Sequence, residues 1–482
     1  MELGTATKFE IETSIASAYL DSVLPFIQRN YLLPHPERFL AIERGSDDQG
    51  PTLSYLAMVP DTGGHVHVKV SVRNQWVEVE MAPGAAVNIS AEALEDFKDD
   101  LFTFVNLFEE RIRQTTLYFA WAEGESIIPE EPPNRKKNLF VRIFSGGMLA
   151  LSVLFLALNV FLFVFFGPFA PLMIVGAQLV TVLISPNIIA RGADWQLTEK
   201  NPNIHIVEYE LPVDDYVGFQ KRFGRDVLTR MKADIYARTF AVGGPLTCEV
   251  VGEVLSGYGF ECRPENMVVK TIDVYSIVKR AASAFSLHIP KILIANTTVA
   301  NAAAAGPSPD RGVALITTGL LSELDDEEVL NVVGHEFSHL KGRDPLALFG
   351  ITTGTYLAWF YVIGPFLEFT ALAGFSFFLY LLSLAVVYFI AKFFESRADL
   401  EAATRIGEPE VMASALRKIG FQKLELEKGR LSRVFDWLGW DTHPPIYFRV
   451  GRLERLRNPE RVRHPMIQSI SDNTRGFLAA LF

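Results

Sequence analysis

The sequence predicts a mainly α-helical membrane protein, with four transmembrane helices in two hairpins and a soluble N-terminal α+β domain. Three observations lead to this prediction. Residues 143–190, which number 48, include no Asp, Glu, Lys or Arg, and residues 345–391 include only Glu368. Apolar residues make up 49% of the chain and charged residues only 21%, which is an unusually apolar composition for a protein that folds in water.

Residues 1–130 form the predicted N-terminal domain. From His65 to Met81 the side chains alternate between polar and apolar around a polar turn, which is typical of a β-hairpin. The stretches Glu10–Tyr31 and Ala91–Ala122 place apolar residues three and four positions apart, and they therefore predict helices. A linker at residues 131–142 then leads to the first apolar region.

Each of the two apolar regions is long enough for two transmembrane helices. A helix needs roughly 20 apolar residues to cross a bilayer, and each region is about twice that length. Gly167-Pro168 interrupts the first region near its middle, and Gly364-Pro365 interrupts the second. The predicted hairpins at residues 143–190 and 345–391 contain the spans 143–166, 170–190, 346–366 and 370–391.

Basic side chains flank both hairpins, whereas the turns inside the hairpins carry none. Positively charged flanks remain on the cytoplasmic side of a membrane. We therefore expect a multi-pass protein of the cytoplasmic membrane with both termini in the cytoplasm. Residues 191–344 and 392–482 would form the two parts of one cytoplasmic domain. The flanking basic residues are Arg135, Lys136, Lys137, Arg142, Arg191, Lys341, Arg343, Lys392 and Arg397.

A His-Glu-x-x-His motif extends from His335 to His339 in a region with helical character. The acidic residues 325–328 precede the motif and are typical of a helix N-terminus. Two histidines four residues apart share one face of a helix, so both can bind one zinc ion. Glu336 can then serve as the catalytic base that deprotonates a zinc-bound water.

We predict that Glu395 is the third metal ligand. The chain has only two cysteines, which excludes a cysteine-rich zinc site and leaves histidines and carboxylates. His339 precedes the third span and Glu395 follows the fourth, so the hairpin between them returns both residues to the same membrane surface. Asp399 is four residues after Glu395 and shares its helical face, where it can orient a ligand histidine.

The order of these motifs resembles the HtpX family of membrane proteases and, more distantly, the CAAX prenyl proteases. The resemblance covers residues 143–455. The plan of four spans is also similar to HtpX, whereas the prenyl proteases have more spans. Besides the zinc motifs, the matching segments are Asn301-Ala302-Ala303-Ala304-Ala305-Gly306, Thr318-Gly319-Leu320-Leu321 and His443-Pro444-Pro445-Ile446-Tyr447-Phe448-Arg449-Val450.

The resemblance implies a gluzincin-like α+β zinc peptidase domain that holds one zinc ion (Zn2+) per chain. It implies that Asn301, Ala302, Ala303, Ala304 and Ala305 form an edge strand that pairs with a substrate peptide. His443 either contributes to catalysis by stabilising the oxyanion or holds the C-terminal segment near the site. Arg449 either supports Asp399 or lies on the surface.

These observations predict a zinc metalloendopeptidase that cleaves membrane or misfolded proteins at the cytoplasmic face of the bilayer. The alternatives are a protease that processes prenylated proteins and a non-catalytic membrane scaffold stabilised by zinc. The expected partners are protein substrates and lipid. A net charge of −11 argues against nucleic acid as a partner. The physiological substrate, the oligomeric state and the role of the N-terminal domain stay open.

Overall fold

The chain forms two compact units. The first contains residues 1–119 and 206–270, and the second contains residues 120–205 and 271–482. The predicted domain bounds remain predictions, and this division differs from them by grouping residues 206–270 with the N-terminal part of the chain. The computed structural model describes residues 7–13, 15, 17–47, 50–59, 64–73, 76–83, 91–124, 160–211, 215–216, 219, 226–260, 263–306, 308, 311–368, 373–427, 430–439 and 441–481.

Twelve strands and fifteen α-helices are named here, in chain order, within the described residues. The strands are β1 (Thr7–Glu12), β2 (Phe39–Asp47), β3 (Gly50–Met58), β4 (His65–Arg73), β5 (Trp76–Pro83), β6 (Thr116–Ala122), β7 (Trp195–Leu197), β8 (Asn203–Glu210), β9 (Met267–Asp273), β10 (Lys291–Ala295), β11 (Ala302–Ala305) and β12 (Val313–Thr317). The helices are α1 (Val23–Ile27), α2 (Ala91–Arg113), α3 (Ala170–Gly192), α4 (Asp226–Arg238), α5 (Cys248–Ser256), α6 (Val274–Phe285), α7 (Thr318–Glu323), α8 (Asp326–Gly342), α9 (Asp344–Ala358), α10 (Gly364–Glu368), α11 (Ser376–Ile406), α12 (Pro409–Leu426), α13 (Arg430–Leu438), α14 (Ile446–Glu454) and α15 (Pro465–Leu481).

The first unit contains a five-stranded antiparallel sheet with the strand order β1-β5-β4-β3-β2. The predicted hairpin is present, because β4 and β5 pair antiparallel with Val70 opposite Val79. Along β4 the valines are buried, whereas His65 and His67 are exposed on the opposite face. Alternation with a period of two therefore separates the covered face of the sheet from the solvated one.

Two helix predictions in this part of the chain are partly wrong. Residues 10–12 belong to β1, where Ile11 is buried opposite Val77, so the expected helix from Glu10 starts too early. The long helix α2 ends at Arg113, and residues 116–122 form β6, which joins β8 and β9 in a three-stranded sheet. In both places pairing with strands distant in sequence outweighs the local helical pattern.

The second unit contains a four-stranded sheet with the order β11-β12-β10-β7. Strands β10 and β12 are parallel, with Leu293 opposite Leu315. Strand β11 pairs antiparallel with β12 and forms one edge of the sheet. The expected edge strand is therefore present.

Three helical segments among the described residues are long and apolar enough to cross a membrane. They are Val160–Gly192, Asp344–Glu368 and Phe378–Ile406. They overlap the second, third and fourth predicted spans, and their apolar side chains are largely exposed. Val160–Gly192 also includes residues 160–166 of the first predicted span, and Phe378–Ile406 extends beyond the predicted end of the fourth at residue 391. Most of the first predicted span, residues 143–166, lies outside the described residues, so the count of four spans remains a prediction.

Helix α8 lies at the centre of the second unit and contacts α6, α11 and α12. It begins with a capping box in which Asp325 and Glu328 satisfy each other's backbone N–H groups. Buried Glu328 also accepts hydrogen bonds from Ser414 and Lys418 of α12. Gly334 allows α11 to pack closely, because a Cβ there would lie 2.4 Å from Cδ1 of Ile406. These contacts fix the helix that carries the His-Glu-x-x-His motif.

Candidate metal centre

Helix α8 places the two motif histidines side by side, as their spacing of four residues requires. His335 is buried and His339 is nearly so. Their Nε2 atoms are 3.1 Å apart, and their rings are almost perpendicular. Two Nε2 atoms thus point to one location.

Glu395 reaches the same location from α11. Its carboxylate oxygens lie 3.3 Å from Nε2 of His335 and 3.5 Å from Nε2 of His339. Ligand atoms on a tetrahedral zinc ion, each about 2.0–2.1 Å from the metal, are about 3.3 Å from one another. Among the described residues, Glu395 Oε2 is buried without a hydrogen-bond donor. The spacing and this unsatisfied acceptor both fit a bound cation.

The side of His335 away from Glu395 contacts a carboxylate, which is in turn paired with a guanidinium. Its Nδ1 lies 2.9 Å from Oδ1 of Asp399. Arg449 of α14 donates two hydrogen bonds to Asp399, of 2.8 and 2.6 Å, and all three side chains are buried. Burial lowers the pKa of His335, but the nearby carboxylates of Asp399 and Glu395 outweigh burial, so its pKa is raised. Of the two readings of Arg449, the structure places it in contact with Asp399.

His339 likewise contacts a carboxylate that is paired with a guanidinium. Neither residue was predicted from the sequence to have this role. Nδ1 of His339 lies 2.7 Å from Oδ2 of Asp344. Arg397 of α11 donates a 2.6 Å hydrogen bond to the same oxygen. Arg343 adopts a left-handed conformation with φ of 54°, which ends α8 and starts α9. The carboxylate five residues after His339 was the available signal, but a continuous helix would place it on a different face.

Glu336 faces the edge strand β11. The backbone N–H of Ala304 donates a 2.8 Å hydrogen bond to Oε2 of Glu336. The backbone of Asn301 is directed to the opposite side, where its N–H and C=O both pair with Thr317. Because backbone groups alternate along a strand, Ala302 and Ala304 direct their N–H and C=O groups away from β12. The catalytic glutamate predicted from sequence therefore lies beside the open edge of the sheet.

His443 also approaches the cluster. Its Nε2 lies 3.4 Å from Oε2 of Glu395, and its Nδ1 lies 2.9 Å from Oδ1 of Asp441. Its side chain is half-exposed, unlike the side chains of the two motif histidines. Burial raises the pKa of Asp441, but hydrogen bonds from His443 and Lys423 outweigh burial, so its pKa is well below the ordinary range. The structure thus places the side chains of His335, His339, Glu395, Asp399, Arg449 and His443 in one cluster, and it places Glu336 beside Ala304.

Comparison with known proteins identifies relatives of the second unit. The model of Peptidase family M48 matches residues 269–457. A Protease HtpX homolog of Moorella thermoacetica is 32% identical over 216 residues, which are 38% of this chain and 72% of that protein. A Protease HtpX homolog of Acidiphilium cryptum is 29% identical over 252 residues, which are 46% of this chain and 86% of that protein.

A solved structure also resembles part of the chain. The crystal structure of S. mikatae Ste24p aligns with 77% of each chain at 15% identity. Its TM-score of 0.35 is too low to support an argument about this protein. The match to the family model includes α8, α9, α11 and α14.

Proposed function

Because this chain belongs to the HtpX-like proteases of peptidase family M48 and is a multi-pass membrane metalloprotease, we propose that it is a zinc endopeptidase. The ligands are His335, His339 and Glu395, and they hold one zinc ion per chain. The convergence of these three side chains on one location is the observation that supports the proposal most directly. Three protein ligands leave one position open, as in catalytic rather than structural zinc sites.

A zinc ion held by these three side chains would act as a Lewis acid and would lower the pKa of a water molecule to about 7. Glu336 accepts the proton of the attacking water and passes it to the leaving amine. The N–H of Ala304 holds one oxygen of Glu336, so the other oxygen is available for the proton. The hydrogen bond thus orients the base before a substrate arrives.

We place the substrate peptide along β11. An extended peptide that adds to this edge would pair with the outward N–H and C=O groups of Ala302 and with the C=O of Ala304, whose N–H is bound to Glu336. Backbone pairing recognises an extended segment of almost any sequence, provided that the segment is unfolded. The alanines at residues 302–305 are half-buried and small, so they leave room for substrate side chains beside Glu336. This arrangement supports cleavage of misfolded or membrane proteins within unfolded segments.

We assign His443 to the developing oxyanion of the scissile carbonyl. Its Nε2 lies at the edge of the ligand cluster, and its exposed position leaves it accessible to a substrate. Asp441 holds Nδ1, which fixes the ring orientation. A donor that stabilises the oxyanion contributes roughly 10²–10³-fold to kcat in other hydrolases.

We place this reaction at the cytoplasmic face of the membrane. His335 and His339 precede the apolar segment Asp344–Glu368, and Glu395 lies in the second half of the segment Phe378–Ile406, after the predicted span 370–391. The basic residues predicted to flank these segments favour the cytoplasmic side. A site at the surface of the bilayer has access to membrane-protein segments that protrude from it.

The substitution Glu336→Gln tests the proposal in purified protein reconstituted in detergent or liposomes. We expect loss of zinc-dependent cleavage of an unfolded casein substrate, with one bound zinc ion retained by metal analysis. Glu327→Gln is the matched control, because Glu327 is an exposed acid on the same helix that pairs with Arg280. Unchanged proteolysis in Glu336→Gln would contradict the mechanism, and absence of zinc after reconstitution of the wild type would contradict the metal site.

A further inference from the structure

Lys392 is a fully buried lysine directly after the fourth predicted span. Burial of an ammonium group is costly unless hydrogen bonds and charges compensate for the lost water. The Nζ atom donates to the backbone carbonyls of Gly439, at 3.4 Å, and Asp441. Both carbonyls belong to the segment that leads from α13 to His443. Lys392 therefore binds the backbone of the segment that carries His443.

The position of Lys392 on α11 connects this contact to the metal centre. Glu395 follows Lys392 by three residues, which is about one helical turn and a rise of about 4.5 Å. One turn of α11 thus carries a metal ligand and binds the backbone two residues before His443. On the same side of the site, His443 Nε2 lies 3.4 Å from Glu395 Oε2.

The segment is held in two further places. The carboxylate of Asp441 accepts a 3.0 Å hydrogen bond from the backbone N–H of His443. After the two prolines, buried Glu427 accepts the backbone N–H groups of Ile446 and Tyr447, at 3.0 Å each. These contacts fix the ends of the segment, whereas Lys392 attaches it to the helix of Glu395.

The C-terminal helix α15 holds the same turn of α11 from another side. Fully buried Asn473 donates a 2.9 Å hydrogen bond to the backbone C=O of Lys392 and accepts a 2.6 Å bond from Ser396. Phe477, one turn later, packs against Phe389 with ring centroids 5.4 Å apart. Helix α15 lies beyond residues 269–457, where the family model matches.

We propose that Lys392 is a positioning residue that sets His443 relative to Glu395, and that α15 stabilises this arrangement through Asn473. The proposal rests on the zinc endopeptidase function proposed above. It assigns a role to a buried charge that touches neither metal nor substrate. It also makes the C-terminal helix a part of the active-site framework.

A double-mutant cycle in the full-length protein tests this proposal. Lys392→Met keeps the length of the side chain but removes the ammonium group. We expect kcat to fall roughly 10–100-fold, as for other residues that orient a catalytic group, with KM and zinc affinity unchanged. In a His443→Ala background, Lys392→Met should cause no further loss, because both substitutions remove the same contribution. Lys279→Met, at an exposed lysine of the same unit, is the control.

Three outcomes would overturn the proposal. These are unchanged kcat in Lys392→Met, full additivity with His443→Ala, and wild-type kcat in His443→Ala. If Lys392→Met fails to fold, Lys392→Gln retains one donor and is judged by the same cycle. Asn473→Ala should reduce kcat less than Lys392→Met and in the same non-additive way. Failure of the zinc endopeptidase function itself would be recognised separately, by wild-type protein that lacks zinc-dependent cleavage.

Discussion

The two motif histidines have supports of the same chemical kind, a carboxylate held by an arginine, but the two supports come from different parts of the chain. The Nδ1 atom of each imidazole lies beside a carboxylate, and each carboxylate is paired with an arginine. Asp399 and Arg449 lie on two helices far from His335 in sequence, and they form a bidentate pair. Asp344 follows His339 by only five residues and receives one hydrogen bond from Arg397. The imidazole of His335 is thus oriented by residues that tertiary packing brings together, whereas the imidazole of His339 is oriented by a carboxylate at a local turn.

The difference shows which parts of the fold each ligand depends on. The orientation of His335 depends on the packing of α8, α11 and α14. The orientation of His339 depends on the turn at Gly342 and Arg343, where the membrane helix α9 begins. A Cβ on Gly342 would lie 2.4 Å from the guanidinium nitrogens of Arg397 and 2.6 Å from Asp344 Oδ1. Glycine at this position is therefore necessary for the second support.

Asp399→Ala should produce the largest change of fold stability. The substitution leaves the guanidinium of Arg449 buried without its partner, which costs about 3–5 kcal/mol in comparable buried pairs. The free energy of unfolding in detergent, measured by denaturant titration, checks this. Asp344→Ala is the matched control and should cost less, because Arg397 keeps a hydrogen bond to the backbone C=O of Ser338. Equal losses of unfolding free energy in Asp399→Ala and Asp344→Ala would contradict the claim that the two carboxylates differ in their contribution to the fold.

Arg449→Lys should cause the next largest loss of fold stability. Lysine cannot make two parallel hydrogen bonds to Asp399, and loss of one such charged bond costs about 1.5–3 kcal/mol. Arg397→Lys should lose less, since Arg397 makes a single bond to Asp344. Thermal unfolding of both variants without zinc compares them. A larger loss of thermal stability in Arg397→Lys would show that the Arg397–Asp344 pair stabilises the fold more than the Arg449–Asp399 pair does.

Asp344→Asn should affect the metal more than the fold. Removal of a carboxylate behind a ligand histidine typically lowers metal affinity about 10–100-fold. Asparagine has nearly the same shape, so we expect only a small change in the free energy of unfolding. Competition with a zinc chelator measures the affinity, with Asp472→Asn, which faces Arg452, as a control for charge removal elsewhere in the unit. Unchanged zinc affinity would contradict the role assigned to Asp344.

The smallest effect concerns pH. Burial lowers the pKa of His339, but Glu395 and Asp344 outweigh it and hold its pKa well above 6.5. Zinc binds neutral imidazole, so zinc affinity should fall as pH falls, starting above pH 6.5. In metal-free protein the sign is opposite: the stability contributed by protonated His339 is present below pH 6.5 and is lost as pH rises through the folded pKa.

Asp344→Asn provides the comparison for this pH dependence. Without the carboxylate, the pKa of His339 should move down, so the loss of zinc affinity should begin at a lower pH than in the wild type. Chelator competition from about pH 6 to about pH 8 covers the range in which histidine titrates. Identical curves for the two proteins would show that Asp344 does not influence His339.

Much of the site could be predicted because its signals are local. The motif from His335 to His339 specifies two ligands through helical spacing alone. Glu395 required one further step, the return of an apolar hairpin to the same membrane surface. Asp344 was missed because its position depends on the left-handed Arg343, and a residue with ordinary propensities gives no sign of that conformation. The sequence predicts Lys392 only as a flanking positive charge. In the structure, however, its Nζ is buried against backbone carbonyls.

By itself, the sequence predicted the apolar segments, the helix of the His-Glu-x-x-His motif and the three side chains that converge, His335, His339 and Glu395. Hydropathy and helical periodicity are properties of neighbouring residues, so they can be read along the chain. Tertiary structure alone decided the strand at residues 116–122, the contacts of His339 with Asp344, the bond from Ala304 to Glu336 and the contacts of α15 with α11. Each of these depends on backbone conformation or on partners far away in sequence, and such contacts leave no periodic pattern in the residues that make them.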